Sequence, residues 1–104
     1  MMISGIGVDI VKIDRLEFNL KNKILSKEEI DLFDKMCDFR KREFLAGRFA
    51  IKEALYKAGL KISYSKMNIK YNDDNSIYLE GYSNIKISIS HEKEYAIGYA
   101  IIED

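Results

Sequence analysis

Between Ile3 and Val11 two kinds of position alternate. Ile6, Val8 and Ile10 fall on one side of an extended chain, and Gly5, Gly7 and Asp9 fall on the other. The first set has the composition of a strand's core face. The second is bare backbone leading to a carboxylate, a surface open to close approach. A carboxylate in apolar surroundings is costly to bury alone, so Asp9 requires a partner.

Residues 12–36 have a helical pattern with a break: Ile13, Leu16 and Leu20, then Leu25. Ser26 with Glu29 three residues on, followed by Ile30 and Phe33, has the form of a capping box. The strongest helical signal is "EFLAGRFAIKEALYKAG", 43–58, with Gly59 as its C-cap. Three strands are predicted next, near 67–72, 76–80 and 85–90, with "NDDNS" as a hairpin turn between the first two. After a turn at "HEKE", large Tyr95, Ile97, Tyr99 and Ile101 alternate with small Ala96, Gly98 and Ala100, and the small face suits a helix lying close. The order predicts an α+β fold: an N-terminal strand, helices including one long central helix, then an antiparallel meander packed on that helix.

The 43–58 helix carries two apolar strips. Phe44, Ile51, Ala54, Leu55 and Ala58 cluster on one side as core. Leu45, Phe49 and Tyr56 form a second strip roughly 120–140° away, bordered by Arg48 and Lys52 on one edge and Glu53 on the other. Such a helix lies between a core and a ligand or subunit, or is a central helix whose charges reach past their neighbours to solvent. Periodicity does not separate the two.

The 104 residues suit one domain, 1–104, without repeats, low-complexity segments or proline. A hydrophobic share of 47% is that of a globular protein, and no run approaches the about 18 apolar residues of a membrane span. The N-terminus lacks the charged, apolar and small-residue order of a secretory signal, so a cytoplasmic location is expected. The single cysteine, Cys37, and single histidine, His91, exclude an internal disulfide and a Cys/His zinc site. Net charge is zero, yet residues 35–61 hold eight basic side chains against three acids. That local excess suits an anionic partner rather than general nucleic-acid affinity, or else a solvated helix face.

Asp9 and Glu53 stand out as acids in apolar settings on different elements. Should the fold bring them together, repulsion would raise the pKa of one or require a cation between them. Two carboxylates with water and phosphate oxygens are the common protein share of a Mg²⁺ site. Arg48, Lys52 and Lys57 would then hold the rest of a polyanion. His91 follows a strand whose outward face is Lys86, Ser88 and Ser90, groups able to donate to phosphate oxygens; a turn histidine without a role is the plainer alternative. No "GxxxxGK[ST]" and no strand-linked "GxGxxG" supports a nucleotide site of those types. Cys37 lacks the setting of a nucleophile and is expected to be buried or incidental.

Taken together, "GIGVDIVKIDRL", "EFLAGRFAIKEALYKA" and "ISISHEKEYA" resemble the three motifs of the holo-acyl-carrier-protein synthase family, which are 4′-phosphopantetheinyl transferases. The resemblance implies transfer of the phosphopantetheine arm of coenzyme A to a serine of an apo acyl carrier protein, releasing adenosine 3′,5′-bisphosphate, in fatty acid biosynthesis. By motif position Asp9 and Glu53 correspond to the Mg²⁺-binding acids. Arg48 and Lys52 correspond to side chains along the coenzyme A phosphates, and His91 with Ser90 to groups near the pyrophosphate. The family's short members form homotrimers with sites between subunits, which would give the two-stripe helix a subunit to cover its second strip. For the proton of the attacking serine, a water held by the metal, Glu53 and His91 are the candidates.

Two segments depart from the family pattern. The stretch "LEFNLKNKILSKEE" is short for a carrier-contacting region, and "KAGLKISYSKM" is shorter than the family's loop and lacks its "FGTG" form. These departures motivate the alternative of a non-catalytic module that binds coenzyme A or a carrier protein.

Overall fold

The strand that opens the chain, β1 (Ile3–Lys12), runs antiparallel to the strand that closes it, β5 (Tyr95–Glu103). A computed structural model describes residues 2–104. After β1 come two short 3-10 turns and two short helices, α1 (Lys21–Ile24) and α2 (Lys27–Asp34). The long helix α3 (Asp38–Ala58) follows, then the hairpin β2 (Ile69–Tyr71) and β3 (Ile77–Leu79), and finally β4 (Ile85–His91) beside β5. The strand order β1-β5-β4 makes one antiparallel sheet, and β2-β3 makes a second. The expected α+β architecture is what forms, with α3 packed along β1 and β5.

Local signals set most element ends. The side chain of Ser26 accepts from the Glu29 backbone N–H while Glu29 accepts from the Ser26 N–H, so the capping box starts α2 as its sequence requires. Gly59 ends α3 at φ 130. The helix begins five residues earlier than the apolar pattern predicts. "DFRKR" carries little periodic signal, but it continues the helix, with Asp38 favourably placed against the macrodipole in the first turn. Cys37, at the N-cap of α3, is exposed rather than buried.

The face of β1 that meets α3 is the bare one, which reverses the expectation for Ile6, Val8 and Ile10. Those three are 53–58% exposed, whereas a Cβ on Gly7 would stand 2.0 Å from the carbonyl oxygen of Ala54. On β5 the small face behaves as predicted: a Cβ on Gly98 would stand 2.5 Å from Ile51 Cα. Ala46, Ala50, Ala54 and Ala58, four residues apart and buried, line the helix where it meets these strands. Small residues on both surfaces let the backbones approach, and close packing rather than large side chains makes this contact. The opposite face of the sheet is left apolar and open, with Tyr95, Ile97 and Tyr99 also 38–41% exposed.

Much of the second strip of α3 is covered from within the chain, with Tyr56 left 42% exposed. Leu45 packs with Ile24, Leu25, Phe33 and Phe44, and Tyr64 stacks edge-on against both Phe49 and Tyr56. Among the described residues no helix is long and apolar enough to cross a membrane.

Candidate active site

Asp9 stands on the helix-facing side of β1, opposite Gly98 in the register with β5, so no neighbouring strand side chain shields it. Its Oδ1 accepts from Lys57 Nζ at 2.9 Å, and the lysine side chain is 54% exposed. Glu53 lies one helical turn before Lys57, and its Oε2 accepts from the Tyr64 hydroxyl at 2.6 Å. The Asp9 hydrogen bond and charge, with a smaller contribution from Glu53, hold the Lys57 ammonium above its ordinary range. Burial, then the bond to Glu53 and the charges of Glu53 and Asp9, raise the Tyr64 hydroxyl, which therefore stays a proton donor. The two acids share no direct bond: Asp9 holds Lys57, and Glu53, one turn earlier on the same helix, holds Tyr64. They occupy one corner of the α3–β1 contact.

Two hard oxygen donors with an exposed ammonium on one of them suit a divalent cation that keeps several waters and takes phosphate oxygens. Among the described residues no group of three or more His, Cys, Asp or Glu side chains is disposed to hold a metal ion, so this corner offers two acids and no complete protein cage.

Lys52 is elsewhere. Its ammonium is sealed inside the protein, where its three N–H donors go to Glu29 Oε1, the Ile24 carbonyl and the Tyr64 carbonyl. Burial pulls it down to about 8 against the opposing pull of Glu29. Lys52, expected along the phosphates, is instead a strut between α1, α2, α3 and the turn at Tyr64. Arg48 is partly spent in the same way. Its Nε donates to Glu29 Oε2 at 3.1 Å, its Nη2 to the Tyr71 hydroxyl at 3.0 Å, and its guanidinium lies 4.3 Å above the Phe44 ring. Two of the eight cations in the basic segment are thus turned inward onto one carboxylate, so its apparent excess overstates the charge offered to a partner.

Arg48 nevertheless lines a groove of about 330 Å³ between α3, the hairpin turn at Asn75–Ile77 and the edge strand β4. Arg40 and His91 line it too, with His91 Nδ1 3.6 Å from Glu43 Oε2. Ser90 opens instead onto a depression of the outer sheet face, beside Ile10, Tyr95 and Ile97, with His91 bordering both sites. The predicted site residues therefore separate into two clusters: Asp9, Glu53 and Lys57 at the β1 corner, and Arg48 and His91 in the β4 groove.

Two participants escaped sequence reading. Glu29 has a sufficient local explanation as a cap, which hides its long-range role as counter-ion to Arg48 and Lys52. Tyr64 sits on a short turn after α3 whose path no periodicity specifies.

Comparison with known proteins covers nearly the whole chain. The family model described as the 4′-phosphopantetheinyl transferase superfamily matches residues 5–100. A curated holo-(acyl-carrier-protein) synthase of Mycoplasma capricolum subsp. capricolum is 46% identical over 104 residues, covering 96% of this chain and 94% of the relative. The synthase of Petrotoga mobilis is 39% identical over 117 aligned positions, covering 99% and 98%. That alignment is longer than this chain, so the Petrotoga protein carries residues absent here, whereas the Mycoplasma one aligns without such an excess. Among solved structures, the Bacillus anthracis synthase in complex with CoA (3′,5′-ADP) superposes with a TM-score of 0.87 at 33% identity, covering 98% of this chain and 97% of that one. The Helicobacter pylori synthase in complex with coenzyme A gives 0.74 at 30% identity, covering 94% and 99%.

Proposed function

The chain belongs to the 4′-phosphopantetheinyl transferase superfamily, and from that premise we propose that it transfers 4′-phosphopantetheine from coenzyme A to a serine of an apo acyl carrier protein in a Mg²⁺-dependent reaction, yielding adenosine 3′,5′-bisphosphate. The observation that carries this reading is the β1 corner, where Asp9 is bonded to Lys57 and Glu53, one helical turn before that lysine, is bonded to Tyr64. Relatives called holo-(acyl-carrier-protein) synthase supply the substrate pair, and structures of such synthases with coenzyme A supply the donor. Fatty acid biosynthesis is the use of the product that this assignment entails.

Asp9 and Glu53 would hold the Mg²⁺ through one carboxylate each. When bound, the ion supplies positive charge where the pyrophosphate gains negative charge as the leaving oxygen departs. The residues of the chain do the rest. Lys57, exposed and fully charged, can move from Asp9 onto a phosphate oxygen once Asp9 has another cation, and it takes the role first expected of Lys52. Arg48, held rigidly by Glu29 and Tyr71, keeps further N–H donors for an anion in the groove, with Arg40 and His91 beside it. The serine proton goes to a group at the pyrophosphate, and His91 and Glu53 are the side chains within this set able to accept it.

We also propose a homotrimer in which one subunit's β1 corner faces its neighbour's β4 groove. Two features favour it: the anion-binding side chains and the acids lie in different clusters, and the outer sheet face exposes Ile6, Val8, Ile10, Tyr95, Ile97 and Tyr99 together. Subunit mixing checks this arrangement. Glu53→Gln and His91→Ala should each be nearly inactive alone, and co-refolding the two should restore part of the wild-type rate. No recovery would place both groups in one subunit's site.

The reading is tested by following adenosine 3′,5′-bisphosphate release with coenzyme A and apo carrier protein. Release should require both Mg²⁺ and the carrier and should stop on chelation. The second reading, a non-catalytic binding module, is favoured by the short loop after α3, "KAGLKISYSKM". Calorimetry that detects coenzyme A binding, combined with no release for any carrier, would select it.

A further inference from the structure

Glu53 is a flexible side chain on the face of α3 that turns toward Tyr64, and its orientation is fixed from outside the helix. Tyr64 begins a 3-10 turn (Tyr64–Lys66) five residues beyond Gly59, after the shortened loop brings the chain straight back onto α3. Its ring is wedged edge-on between Phe49 and Tyr56, at centroid distances of 6.1 and 6.2 Å, about one helical turn before and one after Glu53. Its backbone carbonyl is tied down at 3.0 Å by the buried ammonium of Lys52, which is itself fixed by Glu29. With both ring and backbone held, the hydroxyl has one place to go, Glu53 Oε2 at 2.6 Å.

We propose that Tyr64 is a positioning residue that orients the Glu53 carboxylate for the divalent cation, with Lys52 and Glu29 as the buried frame behind it. The inference rests on the reading that Glu53 holds the cation. A neutral donor on one carboxylate oxygen fixes the plane of the group and leaves its other oxygen outward, and loss of such a partner typically weakens metal binding by about 10–100-fold. The Tyr64 ring also packs, so the hydroxyl must be separated from the ring in any test.

Tyr64→Phe does this, because it keeps the ring between Phe49 and Tyr56 and removes only the donor. The probe is Mn²⁺, titrated by electron paramagnetic resonance in the presence of coenzyme A, with the unfolding midpoint measured in parallel. The expected result is a dissociation constant raised about 10-fold, at the lower end of the range for such partners, with an unchanged midpoint. In steady-state assays the Mg²⁺ concentration for half-maximal rate should rise while the rate at saturating Mg²⁺ stays near wild type. In a Glu53→Gln background Tyr64→Phe should add no further loss, because its effect passes through the missing carboxylate. Wild-type Mn²⁺ affinity in Tyr64→Phe, or an equal loss in both backgrounds, would overturn the inference and leave the metal reading standing. Wild-type affinity in Glu53→Gln would overturn both.

Discussion

Replacing Glu53 by glutamine is expected to lower the rate of phosphopantetheine transfer on the order of 10²–10³-fold while the protein keeps its fold. The substitution is nearly isosteric, and the amide oxygen still accepts the Tyr64 hydroxyl, the contact Glu53 makes here. What is lost is one of the two negative charges at the β1 corner. Asp9→Asn should cost a similar factor for the same reason, and it also releases Lys57 from its ion pair. Initial rates at saturating coenzyme A, carrier and Mg²⁺, read beside thermal unfolding, check both. Full rates in the two variants would remove the metal assignment.

The largest effect on stability is expected at a residue outside the chemistry. Glu29 is fully buried, and its carboxylate accepts four bonds: the Ser26 N–H and Lys52 ammonium on Oε1, the Arg48 Nε–H and Ile69 N–H on Oε2. Glu29→Ala strips a helix cap, leaves two cations inside the protein without their counter-charge, and orphans the start of β2. Breaking a buried pair from one side costs about 3–5 kcal/mol, since the remaining charge stays desolvated. Against a total stability of roughly 5–15 kcal/mol, that removes between a fifth and all of the folding free energy. Urea denaturation measures it, and a loss below about 1 kcal/mol would show that the interior tolerates Lys52 and Arg48 unpaired.

These two residues also mark what the sequence makes legible. Asp9 and Glu53 are visible because each is an acid in an apolar context on an element of definite period, and alternation along β1 gives the side from which Asp9 projects. Alternation does not say which side of a strand is covered. Ile6, Val8 and Ile10 have core composition and lie outward, because Gly7 and Gly98 let α3 settle on the bare face instead. The second strip of α3 has the same character: its existence is written in Leu45, Phe49 and Tyr56, but its cover comes from Phe33 and Tyr64, which lie on other elements, eight or more residues away in sequence. Lys52 is a phosphate ligand by motif position and a buried strut by structure, because the groups that accept its hydrogen bonds lie on three other segments. Such long-range pairing leaves no periodic trace. The motifs themselves carry the family, and the comparisons over residues 5–100 bear that out.

The central claim is transfer of the phosphopantetheine arm, and intact-protein mass spectrometry of the acceptor tests it most directly. Apo acyl carrier protein incubated with this protein, coenzyme A and Mg²⁺ should gain the mass of one phosphopantetheine group, and the same mixture with chelator in place of Mg²⁺ should gain none. An acceptor mass unchanged across several carrier proteins, with Mg²⁺ and coenzyme A in excess, would contradict the account.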